Sequence, residues 1–147
     1  MALSGLQVPG GDGADVLFES AFDLHGIAMV RRQVATCLRA MGFGEAAIED
    51  FLIAVGEVAG NAIEDGGGAG RIRLGRSGRR VRCVVEDRGP GLPADRNDPP
   101  VLARPDAEHG RGLWLAFALC AVELYSTPQG TRVHLTIDLP DGLRPYG

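Results

Sequence analysis

The chain has 147 residues, 19 of them acidic and 15 basic, for a formal net charge of −4, and every basic residue is an arginine. Without lysine there is no Walker A loop, no strand lysine of a eukaryotic-type protein kinase and no amine for a Schiff base, while the acidic balance argues against non-specific binding to nucleic acid or anionic membrane. The length suits one domain burying roughly 68–70% of its unfolded surface, and the widely spaced Cys37, Cys83 and Cys120 fit buried thiols in a reducing compartment better than a disulfide framework or a metal site.

Residues 1–14 read as a flexible leader, since four glycines and a proline fall between residues 5 and 13. They show no basic segment followed by an apolar one, and no apolar run approaches the ~18 residues of a membrane span, so the protein is expected in the cytoplasm. From Asp15 to Phe22 a partial alternation (Val16, Phe18, Ser20, Phe22) predicts a strand suited to a sheet edge. Ile27, Val30, Val34, Leu38 and Met41 then recur at three and four, which predicts a helix over His25–Met41 with Gly42 as its stop. A second helix follows Gly44, with Ile48, Phe51, Leu52, Val55, Ala59 and Ala62 as its apolar stripe, and ends in Gly66, Gly67 and Gly68. On that helix Glu57 and Asn61 stand one turn apart, on the side away from the stripe.

Arg71–Gly75 and Arg79–Asp87 are predicted as strands joined at Ser77 and Gly78. Residues 88–109 contain five prolines and no apolar period, and are expected to form a long loop. A helix is predicted over Gly112–Glu123. A strand near Val122–Ser126, a turn at Thr127–Gly130 and a strand over Thr131–Leu139 complete the order. Sequence-adjacent hairpins favour an α+β sandwich, a mixed and mostly antiparallel sheet with its helices on one face. A dinucleotide-binding doubly wound fold is disfavoured, since no strand leads into a Gly-x-Gly-x-x-Gly turn.

Three patches carry candidate chemistry. Glu57 with Asn61 places a carboxylate one turn from an amide, which suits proton abstraction beside a hard ligand for Mg²⁺, although a solvated helix face would look the same. Asp87-Arg88-Gly89-Pro90-Gly91 sets a hydrogen-bond acceptor at a strand end, followed by glycines that admit a flat ligand close to the backbone; a surface turn has the same residues. His109-Gly110-Arg111-Gly112 opens a helix whose free N–H groups form an anion site, or is simply a flexible start. His25, His109 and His134 are expected to be structural or surface residues.

In this order, with the long loop between the second and third, the patches resemble the nucleotide site of the GHKL superfamily (gyrase, Hsp-type chaperones, histidine kinases and mismatch-repair ATPases). Glu57 and Asn61 match the N-box, Asp87, Gly89 and Gly91 the Asp-x-Gly-x-Gly box, Gly110 and Gly112 the second glycine box, and Gly130-Thr131 the closing Gly-Thr. The resemblance covers residues 15–139, with a lid at about 92–109 and a tail over 140–147. Within the superfamily, the small size and Gly-Arg-Gly-Leu are similar to the RsbW-like anti-sigma-factor serine/threonine kinases.

That resemblance implies an ATP- and Mg²⁺-binding Bergerat-type fold. It implies Glu57 as catalytic base, Asn61 as Mg²⁺ ligand, Asp87 as adenine contact, Gly89 and Gly91 shaping the adenine pocket, Gly110, Arg111 and Gly112 facing the phosphates, and Thr131 near the adenine. The implied partners are a sigma factor and a STAS-type anti-sigma-factor antagonist, with no direct nucleic acid, no membrane, and homodimerisation as in many relatives. Two departures stand out: Asp65, beside Glu64, occupies the position where relatives often have His, and the lid carries Asp95, Asp98 and Asp106 against Arg96 and Arg104, so no γ-phosphate cation is identified. The alternative is a non-catalytic nucleotide-binding module that holds a sigma factor without turnover. The catalytic domain of a histidine kinase fits less well, because nothing before Asp15 reads as the helical hairpin that carries a phosphoaccepting His.

Overall fold

The computed structural model describes residues 14–90, 116 and 118–140. In chain order it contains β1 (Asp15–Asp23), one 3-10 turn (Leu24–Gly26), α1 (Ile27–Met41), α2 (Glu45–Asp65), β2 (Ala69–Ser77), β3 (Arg80–Asp87), β4 (Ala121–Thr127) and β5 (Gly130–Asp138). The strands form one sheet in the order β1-β2-β3-β5-β4, antiparallel at every described pairing. β1 lies at an edge, as its partial alternation predicts. Both helices cover the same face, α1 packing on β1 and α2, and α2 on β2, β3 and β5. This is the expected two-layer α+β sandwich.

Local chemistry explains the helix ends. Asp23 Oδ1 accepts the N–H groups of His25 and Gly26 at 2.9 and 3.1 Å, which turns the chain out of β1. α1 ends at Gly42, whose φ of 102° is open to glycine at little cost, and the Phe43 N–H closes back on the Leu38 carbonyl at 3.1 Å. Arg39 then makes a two-pronged ion pair with Glu45, at 2.7 and 2.9 Å, tying the end of α1 to the start of α2.

The core joins Val30, Val34, Leu38 and Met41 of α1 to Ile48, Phe51, Val55, Ala59 and Ala62 of α2 and to Ile72, Leu74, Val81, Cys83, Val85, Val133 and Leu135 of the sheet. The buried arc of α2 is wider than the predicted stripe. Ala54 and Val58 are buried as well, and Leu52 is only partly so, because α2 is wedged between α1 and three strands. The two interior glycines of α2 differ: a Cβ at Gly56 would touch the Arg31 side chain lying across the helix, whereas one at Gly60 would meet nothing within 4 Å.

The sheet departs from expectation at β4. Ala116, Ala118 and Leu119 are helical, but strand pairing begins at Ala121, opposite Thr136, so Ala121–Glu123 belong to the strand rather than to the predicted helix. The apolar run there has no polar break to mark the change, and only pairing with β5 decides it. β2 likewise extends beyond the predicted Arg71–Gly75 at both ends. Cys83 is buried, while Cys37 and Cys120 are partly exposed, and all three are free thiols. Burial pushes the Cys120 thiol up to about 11.

Candidate functional site

The alternation of β3 sends Val81, Cys83 and Val85 into the core, and the same parity carries Asp87 to the helix side at the strand's end. The sheet order then brings distant residues to it. Asp87 stands directly opposite Thr131, the second residue of β5, and Thr131 stands opposite Ser126 of β4. The Asp87 carboxylate accepts the Gly89 N–H at 2.9 Å and a backbone hydrogen bond from Thr131. The Thr131 hydroxyl lies 3.2 Å from that of Ser126.

Glycines permit the close approach. A methyl at Gly66 would overlap the Asp87 carboxylate and the Ala62 carbonyl, one at Gly89 would overlap the Gly66 backbone, and one at Gly130 would overlap the Asp87 carbonyl. The end of α2, the end of β3 and the start of β5 therefore meet almost backbone to backbone. Burial pushes the Asp87 carboxyl above its ordinary 3.8, and the neighbouring Asp65 pushes the same way; the Gly89 and Thr131 N–H groups oppose them.

Asn61 sits one helical turn before Asp65. It is half-buried rather than on an open polar face, and its side-chain Nδ2 is enclosed with no hydrogen-bond partner among the described residues. A buried amide atom left without a partner is costly unless a ligand meets it. The N and O of an amide exchange by a flip, so this position can present a donor or a hard acceptor. Glu57, one turn earlier on α2, is half-buried. Among the described residues no group of three His, Cys, Asp or Glu could hold a metal ion by itself. Mg²⁺ in nucleotide sites takes only one or two protein ligands and fills its shell with phosphates and water, so a single amide at Asn61 fits that demand.

Asp87, Gly89 and the Gly130-Thr131 pair thus meet the end of the helix that carries Glu57 and Asn61. Residues 21–137 match the family model for the histidine kinase-like ATPase domain. The chain belongs to this family. No curated protein matches it. Among solved structures, this ATPase domain is similar to the RsbU and RsbW domains of Rv1364c from Mycobacterium tuberculosis, with 24% identity and a TM-score of 0.59 over 86% of this chain and 34% of that one. It is also similar to the blue-light activated histidine kinase EL346 of Erythrobacter litoralis, with 25% identity and a TM-score of 0.51 over 66% of this chain and 32% of that one. The mycobacterial sensor histidine kinase MprB aligns with 20% identity and a TM-score of 0.53, over 82% of this chain and 97% of that one. The domain spans about a third of the length of the first two of these structures.

Of the residues singled out in the sequence, Asp87, Gly89 and Thr131 are in direct contact, and Glu57 and Asn61 lie on the helix that ends against them. Gly91, Gly110, Arg111, Gly112 and the lid over 92–109 lie outside the described residues. Two contributors escaped the sequence reading. Gly66 looks like an ordinary turn residue, and its role as the seat of the Asp87 carboxylate appears only once α2 and β3 are side by side. Ser126 is one small residue in a strand, and nothing but the pairing of β4 with β5 marks it. His134 is buried at 1% exposure, in keeping with a structural role.

Proposed function

We propose that this domain binds ATP with Mg²⁺ and, in the manner of the RsbW-like kinases, transfers phosphate to a Ser or Thr hydroxyl of a STAS-type anti-sigma-factor antagonist while holding a sigma factor. The observation that carries the nucleotide part is the Asp87 carboxylate, fixed at a strand end by two backbone N–H groups with glycine on either side. An acceptor so placed suits the exocyclic amine of adenine, and the glycines leave room for a flat base. Membership of the ATPase family supports the same ligand, and the fold shared with the RsbW-containing mycobacterial protein supports the regulatory role.

Asn61 would hold Mg²⁺, which when bound supplies charge stabilisation between the phosphates. Glu57 would accept the proton of the attacking hydroxyl. Gly110, Arg111 and Gly112 remain the proposed phosphate contacts, Gly91 a second wall of the adenine pocket, and the first strand and helix a surface for homodimerisation. Incubating the protein with γ-labelled ATP, Mg²⁺ and a panel of STAS-domain proteins tests this directly. Acid-stable label on a Ser or Thr, abolished by Glu57→Gln with nucleotide affinity intact, is the expected result.

A second reading, nucleotide binding without turnover, draws on two observations. Asp65 places a further carboxylate beside Asp87, and the chain has no lysine for the terminal phosphate. Nucleotide binding with no transfer to any STAS-domain protein would establish it in place of the kinase.

A further inference from the structure

Asp65 is a carboxylate that neither the Mg²⁺ part nor the adenine part of the site uses. It ends the line Glu57, Asn61, Asp65, three residues spaced four apart, each about 40° further round α2 than the one before. The next residue, Gly66, packs directly on the Asp87 carboxylate, and Asp65 itself lies close enough to oppose the charge of Asp87. It is half-buried although it is the last residue of its helix. Along the wall of the site, Asp65 therefore stands between Asn61 and Asp87.

The local electrostatics do not favour a carboxylate there. The last turn of a helix is the negative end of its dipole, and that turn of α2 contains no basic residue. Glu64 precedes Asp65 in the same turn, and Asp87 brings a third carboxyl to the corner. An acidic side chain kept against the dipole and against like charge trades stability for a task.

The covalent order of ATP says which part of the ligand would meet it. With adenine at Asp87 and the Mg²⁺-bound phosphates at Asn61, the sugar has to pass Asp65, which is about 6 Å from Asn61 along the helix axis. ATP has hydrogen-bond donors at only two places, the exocyclic amine and the ribose hydroxyls. Asp87 takes the amine, and an ionised carboxylate only accepts, so the hydroxyls are the donors left for Asp65. We propose that Asp65 holds the ribose, its two carboxylate oxygens accepting the 2′- and 3′-hydroxyls, and that it makes the site selective for ribonucleotides. This rests on the nucleotide reading of the site and holds equally for a kinase or a non-catalytic module, since it concerns binding alone. Acidic residues of dinucleotide-binding folds pair a ribose 2′-hydroxyl in the same way on an unrelated scaffold.

Calorimetric titration of the full chain, wild type and Asp65→Ala, with Mg²⁺ and each of three nucleotides tests it. The three are ATP, 2′,3′-dideoxy-ATP, which lacks both hydroxyls, and purine riboside triphosphate, which lacks the amine. Wild type should bind the dideoxy nucleotide about tenfold more weakly than ATP, because its carboxylate is left without the hydroxyls. In Asp65→Ala that ratio should fall below about twofold, while the ratio of ATP to purine riboside triphosphate stays as in wild type. The ratios are the readout, because removing a negative charge near the triphosphate shifts every nucleotide alike. Thermal melting of the variant confirms that it is folded, and Asp65→Asn, closer in shape, repeats the comparison if the alanine variant is not. Equal binding of ATP and the dideoxy nucleotide by wild type, an unchanged ratio in a folded variant, or a change confined to the amine-lacking nucleotide would each overturn the proposal while leaving nucleotide binding in place. Wild type that bound none of the three would instead remove the nucleotide reading, and this proposal with it.

Discussion

At the scale of single residues, Asp87 is held by opposing forces. Burial and Asp65 disfavour its charge, and two N–H groups favour it, with burial the larger effect, so its pKa lies above 3.8 in the folded chain. A carboxyl raised on folding costs stability once pH exceeds both its unfolded and folded values, and the cost vanishes in acid. Asp87→Asn is therefore expected to melt no lower than wild type at pH 7, while binding ATP at least tenfold more weakly; melting curves and calorimetry check both halves. His134 has the opposite sign. Burial, then Arg132 and Arg82, push its pKa below 6.5 against a smaller pull from Glu123, and neither ring nitrogen has a hydrogen-bond partner among the described residues. The unfolded chain then binds the proton more readily, so stability should fall as pH drops from 6.5 through the lower folded value. His134→Phe should flatten that slope in a urea series across pH 5 to 7.5, because an apolar ring strands no partner.

At the scale of elements, two glycines on or just after α2 make a paired test. A Cβ at Gly60 meets open space, so Gly60→Ala should gain about 0.5–1 kcal/mol from helix propensity alone. A Cβ at Gly66 drives into the Asp87 carboxylate, so Gly66→Ala should lose about 1–3 kcal/mol and weaken nucleotide binding with it. Urea denaturation of both variants measures the contrast. Periodicity made α1, α2, β1 and the β2–β3 hairpin legible, because each has its own apolar rhythm and a glycine or aspartate at its end. It missed the start of β4, where Leu119 to Val122 is apolar in either conformation. It also placed Asn61 too far from the core, since a wheel drawn on one stripe cannot know that α2 packs on two sides. The boxes of the site were legible as short patterns. Their meeting place was not, because it rests on the Asp87–Thr131 register and the Gly66 contact, which join residues far apart in the chain.

At the scale of the whole molecule, the sandwich separates two surfaces. The helix-facing end gathers Asp87, Thr131 and the end of α2, and no described helix is long and apolar enough to cross a membrane. The outer face carries Arg71, Arg73, Arg80, Arg82 and Arg132 among the acidic residues Glu19, Asp23, Glu86, Glu123 and Asp138. The missing lysine takes on a definite meaning here: a phosphate site in this protein has to be built from backbone N–H groups, Mg²⁺ and arginine. The most direct test of the central claim is calorimetric titration of the full chain with ATP, with and without Mg²⁺, beside Asp87→Asn and Asn61→Ala. Wild type should bind, Asp87→Asn should lose at least tenfold in affinity under both conditions, and Asn61→Ala should lose mainly the part that depends on Mg²⁺. No binding by wild type at millimolar ATP, or wild-type affinity in a folded Asp87→Asn, would contradict the account.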